Sequence, residues 1–238
     1  MRKHIKLLIT LSLIVQIVML KILANYPETV EKYYSHGLYQ FLSKIMRWVF
    51  GWIPFSVGDI FYTLAIIYGV RWLFLNRKRI VSDTLNYFLD IGATIAILYF
   101  AFHLLWALNY YRLPLHKSLD IAHDYSTEEL ITFTEELIIK SNVIHGIIEK
   151  EESKMVVMPY SKAELIDLAP KGYVQLAKEY PHLAYHPSSL KRSIYSLPLT
   201  YIGFSGYLNP FTNEAQIDGL VPSYKYPTTT SHEIAHQL

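Results

Sequence analysis

Cysteine is missing altogether and charge is scarce: Asp, Glu, Lys and Arg make up 18% of the 238 residues, against roughly 25% in soluble domains. The first absence excludes disulfides and thiolate metal sites, so any metal has to be held by His, Asp or Glu. The second, with 52% hydrophobic residues, places the chain in the membrane class. A net charge of +2 is too small to attract nucleic acid. The basic residues stand in short clusters beside apolar runs, which is a topology signal rather than a phosphate-binding one. Internal repeats and low-complexity tracts are also lacking.

Three apolar runs are present, at residues 5–24, 57–75 and 88–108. About 20 residues at about 1.5 Å each cover the roughly 30 Å hydrocarbon core, so each run reads as a transmembrane helix. Lys21, Asp59, Arg71 and Asp90 fall near the ends of these runs, where charges snorkel to the interface and need no functional reading. The first run follows Arg2, Lys3 and Lys6 but is long for a signal peptide and has no small-residue cleavage pattern after it, so an uncleaved anchor is expected. Arg2, Lys3 and Lys6 precede the first span, and Arg77, Lys78 and Arg79 follow the second. The positive-inside bias puts both clusters in the cytoplasm and everything after Asn109 outside it. In residues 38–50, Leu38, Phe41, Leu42, Ile45, Met46 and Val49 recur at helical spacing with Lys44 and Arg47 opposite, which predicts an amphipathic helix on the membrane or across the bundle.

Residues 1–109 thus read as a membrane domain and 110–238 as one outer domain. Ser126 and Glu129 form a capping box ahead of a helix to about Glu149, with Leu130, Phe133, Leu137, Ile138, Val143, Ile144 and Ile148 as its buried side. Ser161 and Glu164 repeat the signature before a helix to about Glu179. After Pro187, aromatic and β-branched segments at residues 193–197, 199–204 and 214–221 read as short strands and turns. Asn209 and Asn213 read as turn formers. The fold class is therefore mainly α in the membrane, with an α+β domain outside it.

The chemistry is carried by His232-Glu233-Ile234-Ala235-His236. Residues four apart share a helix face, so His232 and His236 can offer imidazole nitrogens to one metal ion. Glu233 is then placed to act as general base on a zinc-activated water that attacks a peptide carbonyl. The spacing predicts His232 and His236 as zinc ligands, Glu233 as the catalytic base, and a helix capped by Thr230 or Ser231. Catalytic zinc sites take three protein ligands, and the motif supplies two. Glu214, Asp218, His186 and the Leu238 carboxylate are the upstream or terminal substitutes, none required by its spacing. Only about two turns run from the cap to Leu238, so the helix is expected to be marginal and its last carbonyls uncapped.

The chain resembles the bacterial family called domain of unknown function 3810, zincin-like membrane proteins. The resemblance lies in Ile53-Pro54-Phe55-Ser56-Val57-Gly58-Asp59-Ile60, in Trp106-Ala107-Leu108-Asn109-Tyr110-Tyr111-Arg112, in the stretch from Gly206 to Ala215, and in the terminal His232 to Leu238. It implies three spans followed by a metallopeptidase-like domain, with zinc on His232 and His236 and Glu233 as base, and it brings no substrate. Family members continue with a Gly-Tyr pair and a glutamate-rich helix that supplies the third ligand. The expectation is a zincin-like domain truncated at its C-terminus and inactive as it stands. The parent would be a membrane-anchored zinc metallopeptidase of the bacterial inner membrane, acting outside the cytoplasm on exported or membrane proteins or peptides, with residues 214–221 offering an edge strand to them. The alternative is a non-catalytic membrane protein whose outer domain binds a partner.

Overall fold

The computed structural model describes residues 3–149, 151 and 153–238. It is mainly helical and divides into two compact units, Met1–Arg112 with Lys162–Leu238, and Leu113–Ser161. In chain order the principal helices are α1 (Lys3–Leu23), α2 (Tyr39–Phe50), α3 (Val57–Asn76), α4 (Thr84–Leu105), α5 (Thr127–Ile148), α6 (Lys162–Leu176), α7 (Ser196–Ile202) and α8 (Tyr226–Ala235). Three strands, β1 (Leu190–Arg192), β2 (Gly206–Asn209) and β3 (Glu214–Ile217), form a sheet of order β1-β3-β2. β1 runs parallel and β2 antiparallel to β3.

By length and composition α1, α3 and α4 are apolar enough to cross a membrane. α1 packs along α4, with Ala93 and Ala96 buried and Gly92 leaving room for the Thr10 side chain, which would stand 2.6 Å from an added Cβ. Small residues at such a seam let helix backbones approach. At one end, Asp90 takes ion pairs from Lys6 and Arg79. Asp90 is thus paired across three segments rather than snorkelling alone.

At the other end, the π-helical segment Val30–Leu38 runs directly into α2. The Tyr34 hydroxyl donates to the carbonyl of Leu104 at 3.0 Å, satisfying a carbonyl in the last turn of α4 that has no intrahelical partner. Ser35 Oγ donates to Asn109 Oδ1 at 2.8 Å. Arg112 Nε and Nη2 donate to the two oxygens of Glu31 at 2.9 and 2.6 Å.

The sheet is fastened to the N-terminus of α3. Glu214 is fully buried on the central strand. Its Oε1 accepts from Val57 N–H at 3.2 Å and pairs with Lys191 Nζ at 2.8 Å, while its Oε2 accepts from Gly58 N–H at 2.5 Å and Thr212 Oγ1 at 2.9 Å. A helix N-terminus presents unpaired N–H groups and partial positive charge, which suits a carboxylate. Gly58 is required here, because an added Cβ would stand 2.6 Å from Asn209 Cγ and 2.8 Å from Thr212 Oγ1.

One residue on, Asp59 is also fully buried. It accepts from Ser193 Oγ at 2.8 Å, from Ile194 N–H at 2.7 Å, and from the Tyr207 hydroxyl. Burial first, and then this bond, push the Tyr207 phenol up, so it stays a donor. Asp59 is therefore not a snorkelling charge at a helix end; it ties α3 to the residues just after β1 and to β2.

Residues 199–204 are not a strand. They fall largely in α7, which ends at Gly203 with φ 84°. That left-handed turn lets Phe204 N–H reach the Leu199 carbonyl at 2.9 Å, a C-terminal cap that overrides the β propensity of Tyr201 and Ile202. In the smaller unit, α5 carries the expected capping box of Ser126 and Glu129. Its apolar residues, however, are exposed rather than buried, Phe133 and Ile138 among them.

Replacing Lys191 by Met leaves the Glu214 carboxylate buried without its cation. We expect Lys191→Met to cost about 3–5 kcal/mol, read as a lowered denaturation midpoint of the full chain in detergent. The Lys191→Met/Glu214→Gln double variant should recover part of the loss.

Candidate metal centre and its cleft

α8 carries the His-Glu-x-x-His sequence and is longer than its threonine run suggests. It starts at Tyr226, with Pro227 in its first turn, where the missing N–H of proline is no loss. Thr230 is inside the helix, its hydroxyl donating back to the carbonyls of Tyr226 at 2.8 Å and Pro227 at 2.9 Å. Neither Thr230 nor Ser231 is the N-cap. Tyr226 and Ile234 are fully buried, α6 packs alongside, and Tyr173 of α6 donates to the Ser231 carbonyl at 2.7 Å. Tertiary packing thus supports a helix that is too short to be stable alone.

The expectation of uncapped final carbonyls also fails, because α2 caps them. The Tyr39 hydroxyl donates to the His236 carbonyl at 2.7 Å and Ser43 Oγ to the Gln237 carbonyl at 2.6 Å; Gln40 Nε2 reaches the Leu238 carbonyl. Burial pushes the Tyr39 phenol up to about 12, which keeps it a donor. Asn213 closes the arrangement, its Oδ1 accepting from Ser43 and its Nδ2 donating to Tyr39. Gln237 is fully buried. Its Oε1 accepts from Tyr185 at 2.5 Å, and its Nε2 donates to the carbonyls of Ser189 and Asn213. α2 therefore turns its polar residues Tyr39, Ser43 and Arg47 inward. Arg47, on the side opposite the apolar residues as its spacing places it, is buried, while Phe41, Ile45 and Trp48 are exposed.

This frame holds His232 and His236 with their Nε2 atoms 3.0 Å apart. Two imidazoles on one tetrahedral zinc, at about 2.0–2.1 Å each, stand about 3.3 Å apart, so a small spreading motion admits a divalent cation. Desolvation and the neighbouring His232 hold the His236 imidazole below its usual value, in the neutral form that ligates metals. Glu233 is buried, its Oε2 has no hydrogen-bond partner among the described residues, and burial pushes its carboxyl up to about 7. A buried carboxylate without a counter-charge is costly, and a cation beside it removes the cost. His232 and Glu233 open into a cleft of about 430 Å³, whose walls are residues 203–206 on one side and Lys225, Thr228 and Thr229 on the other.

The described residues supply no third metal-binding side chain here: no group of three His, Cys, Asp or Glu gathers among them. Glu214 is engaged at the α3 N-terminus, as described. Asp218 holds a turn, accepting from Thr200 Oγ1 at 2.6 Å and Leu220 N–H at 2.7 Å. His186 lies in a hollow with Phe41, Lys44 and Trp48, and the Leu238 carbonyl is taken by Gln40. The His pair and the orphaned carboxylate fit part of a zinc site.

β3 is the central strand and has no free edge, so it cannot offer one to a substrate. The edge beside the cleft is β2. Gly206 at its start is what lets β2 approach Glu233. An added Cβ would stand 2.8 Å from Cγ and Oε1 of Glu233 and 2.7 Å from the Gln216 carbonyl oxygen. Asn209 and Asn213 are turn residues as expected: Asn209 Oδ1 accepts from Phe211 and Thr212 N–H, and Asn213 has φ 51°. Gly206→Ala is expected to destabilise the fold by about 1–3 kcal/mol and to displace Glu233, read as a lowered melting temperature and as lost contacts between β2 and α8 in a structure of the variant.

No curated protein and no solved structure matches the chain. One family does, over residues 34–238, from the π-helical segment through the His pair. The chain belongs to that family, described as Protein of unknown function (DUF3810).

Proposed function

We propose that this chain is a zinc-dependent peptidase-like protein of a bacterial cell membrane, spanning it with α1, α3 and α4 and carrying its site outside the cytoplasm. The observation that carries the reading is the convergence of the two Nε2 atoms, 3.0 Å apart, beside the unpartnered Oε2 of Glu233, at a cleft bordered by an edge strand. A divalent zinc ion on His232 and His236 would supply Lewis-acid polarisation and a water of lowered pKa. Glu233 would take the proton of the attacking water and hand it to the amine nitrogen as the peptide bond breaks. β2 suits an extended peptide, which would add to the sheet at its open edge and lie across the cleft. Substrates of this kind are exported or membrane-borne polypeptides.

The second reading is a non-catalytic outer domain that binds a partner. It is favoured by the absence of a third metal-binding side chain near the His pair among the described residues. Orientation is supported by the basic residues. Lys6 and Arg79 meet Asp90 at the end of the bundle away from the site, and Arg77 and Lys78 immediately precede Arg79. Basic ends of spans stay in the cytoplasm.

Two measurements test these readings. Metal analysis of the purified full chain should find one zinc per chain, lost in His232→Ala and His236→Ala. Where the wild type cleaves peptide, Glu233→Gln should keep the zinc and lower that hydrolysis by about 10²- to 10⁴-fold. Zinc without hydrolysis in the wild type selects the non-catalytic reading, and a zinc-free wild type removes the metal. Because the chain has no cysteine, single cysteines report topology. In intact spheroplasts, Lys178→Cys should react with an impermeant maleimide, and Arg77→Cys should react only after lysis.

A further inference from the structure

Arg47 is a cation without a hydrogen-bond acceptor among the described residues. It sits one turn beyond Ser43 on the inward face of α2 and is 3% exposed. Its guanidinium lies 5.1 Å from the Tyr185 ring centroid, a cation–π contact that uses none of its N–H donors. Nε and Nη1 are buried with no hydrogen-bond partner. Leaving the donors of a buried cation unpaired is costly, and a guanidinium presents them in the planar fork that fits a phosphate or carboxylate.

Arg47 is one of the residues lining a hollow of about 570 Å³, with Trp48, Trp52 and Pro187. Trp48 and Pro187 are shared with a second hollow of about 390 Å³, whose rim adds Lys44 and His186. Among the described residues no carboxylate lines either hollow, so the combined surface attracts anions. Its walls are otherwise apolar, and Trp48 and Trp52 are 73% and 78% exposed. Tryptophans so placed, a few residues before the start of α3, mark the level of lipid headgroups. An ion alone would leave those walls bare, whereas an amphiphile covers both the charge and the rings.

We infer that Arg47 and the Trp48–Trp52 hollow form a site for the phosphodiester of a membrane phospholipid, its acyl chains lying against the exposed apolar face of α2. This site is separate from the His pair and does not depend on the peptidase reading. The bound lipid would hold α2, and with it the caps on α8, to the leaflet nearest them.

Native mass spectrometry of the delipidated full chain, released from micelles doped with phosphatidylglycerol or with inorganic phosphate, tests the site. One phospholipid per chain is expected on the wild type. Arg47→Met should weaken it about tenfold, which corresponds to ~1.4 kcal/mol, and Trp48→Leu should weaken it severalfold. Arg47→Lys should fall between wild type and Arg47→Met, since it keeps the charge and loses the fork. No retained lipid, or equal retention in wild type and Arg47→Met, overturns the site. Retention of phosphate without lipid overturns the lipid as occupant. If Arg47→Met has no cooperative melt, Arg47→Lys and Trp48→Leu decide, and unchanged lipid retention in both overturns the proposal.

Discussion

The Glu214 carboxylate seated on the first N–H groups of α3 is the contact from which the rest of this fold is hung. Its charge is matched three ways, by the helix terminus, by Lys191 and by the Thr212 hydroxyl. The desolvation of a buried pair offsets most of its Coulombic gain, so its main contribution is geometric. Sliding β3 by one residue would put Ala215 or Asn213 where the carboxylate must be and leave Lys191 unpaired. With β3 fixed, β1 and β2 are fixed through their register to it. β2 then brings Gly206 against Glu233. The position of the candidate base is set, through two strands, by the end of an apolar helix far away in sequence.

α2 supplies the complementary constraint from the other side. Its inward Tyr39 and Ser43 are spaced by four residues, as are the inward Ser43 and Arg47, and the first two satisfy carbonyls that α8 cannot satisfy itself. Asn213, in a left-handed turn next to Glu214, joins both constraints by bonding Tyr39 and Ser43. The His pair is thus held between a sheet anchored on α3 and a helix continuous with the π-helical segment that grips α4.

What was legible in the sequence is what local pattern encodes. The long apolar runs locate α1, α3 and α4 to within a few residues, the capping box locates the start of α5, and the four-residue spacing of His232 and His236 does bring their nitrogens together. Long-range polar contacts were not legible. Asp59 and Glu214 meet partners more than 130 residues away, and nothing in their own neighbourhood separates a clamp from a charge resting at a helix end. Periodicity marked α2 as two-faced but could not say which face turns inward, since that depends on whether the medium outside is water or lipid. α7 and the first turn of α8 were missed for a related reason. Tyr201 and Ile202 favour strands in isolation, and a threonine run favours a cap, until Gly203 and Pro227 provide helix-ending and helix-starting geometry.

The division between the apolar helices and the polar region after them is therefore one of composition, not of folding. A fragment beginning after α4 would carry His232, Glu233 and His236 but would lack the helix terminus that receives Glu214, the main-chain oxygens of Phe50 and Phe55 that receive Lys191, and the hydroxyls that close the end of α8. The candidate centre cannot be cut loose as a soluble piece and keep its shape. The long apolar helices are part of its foundation.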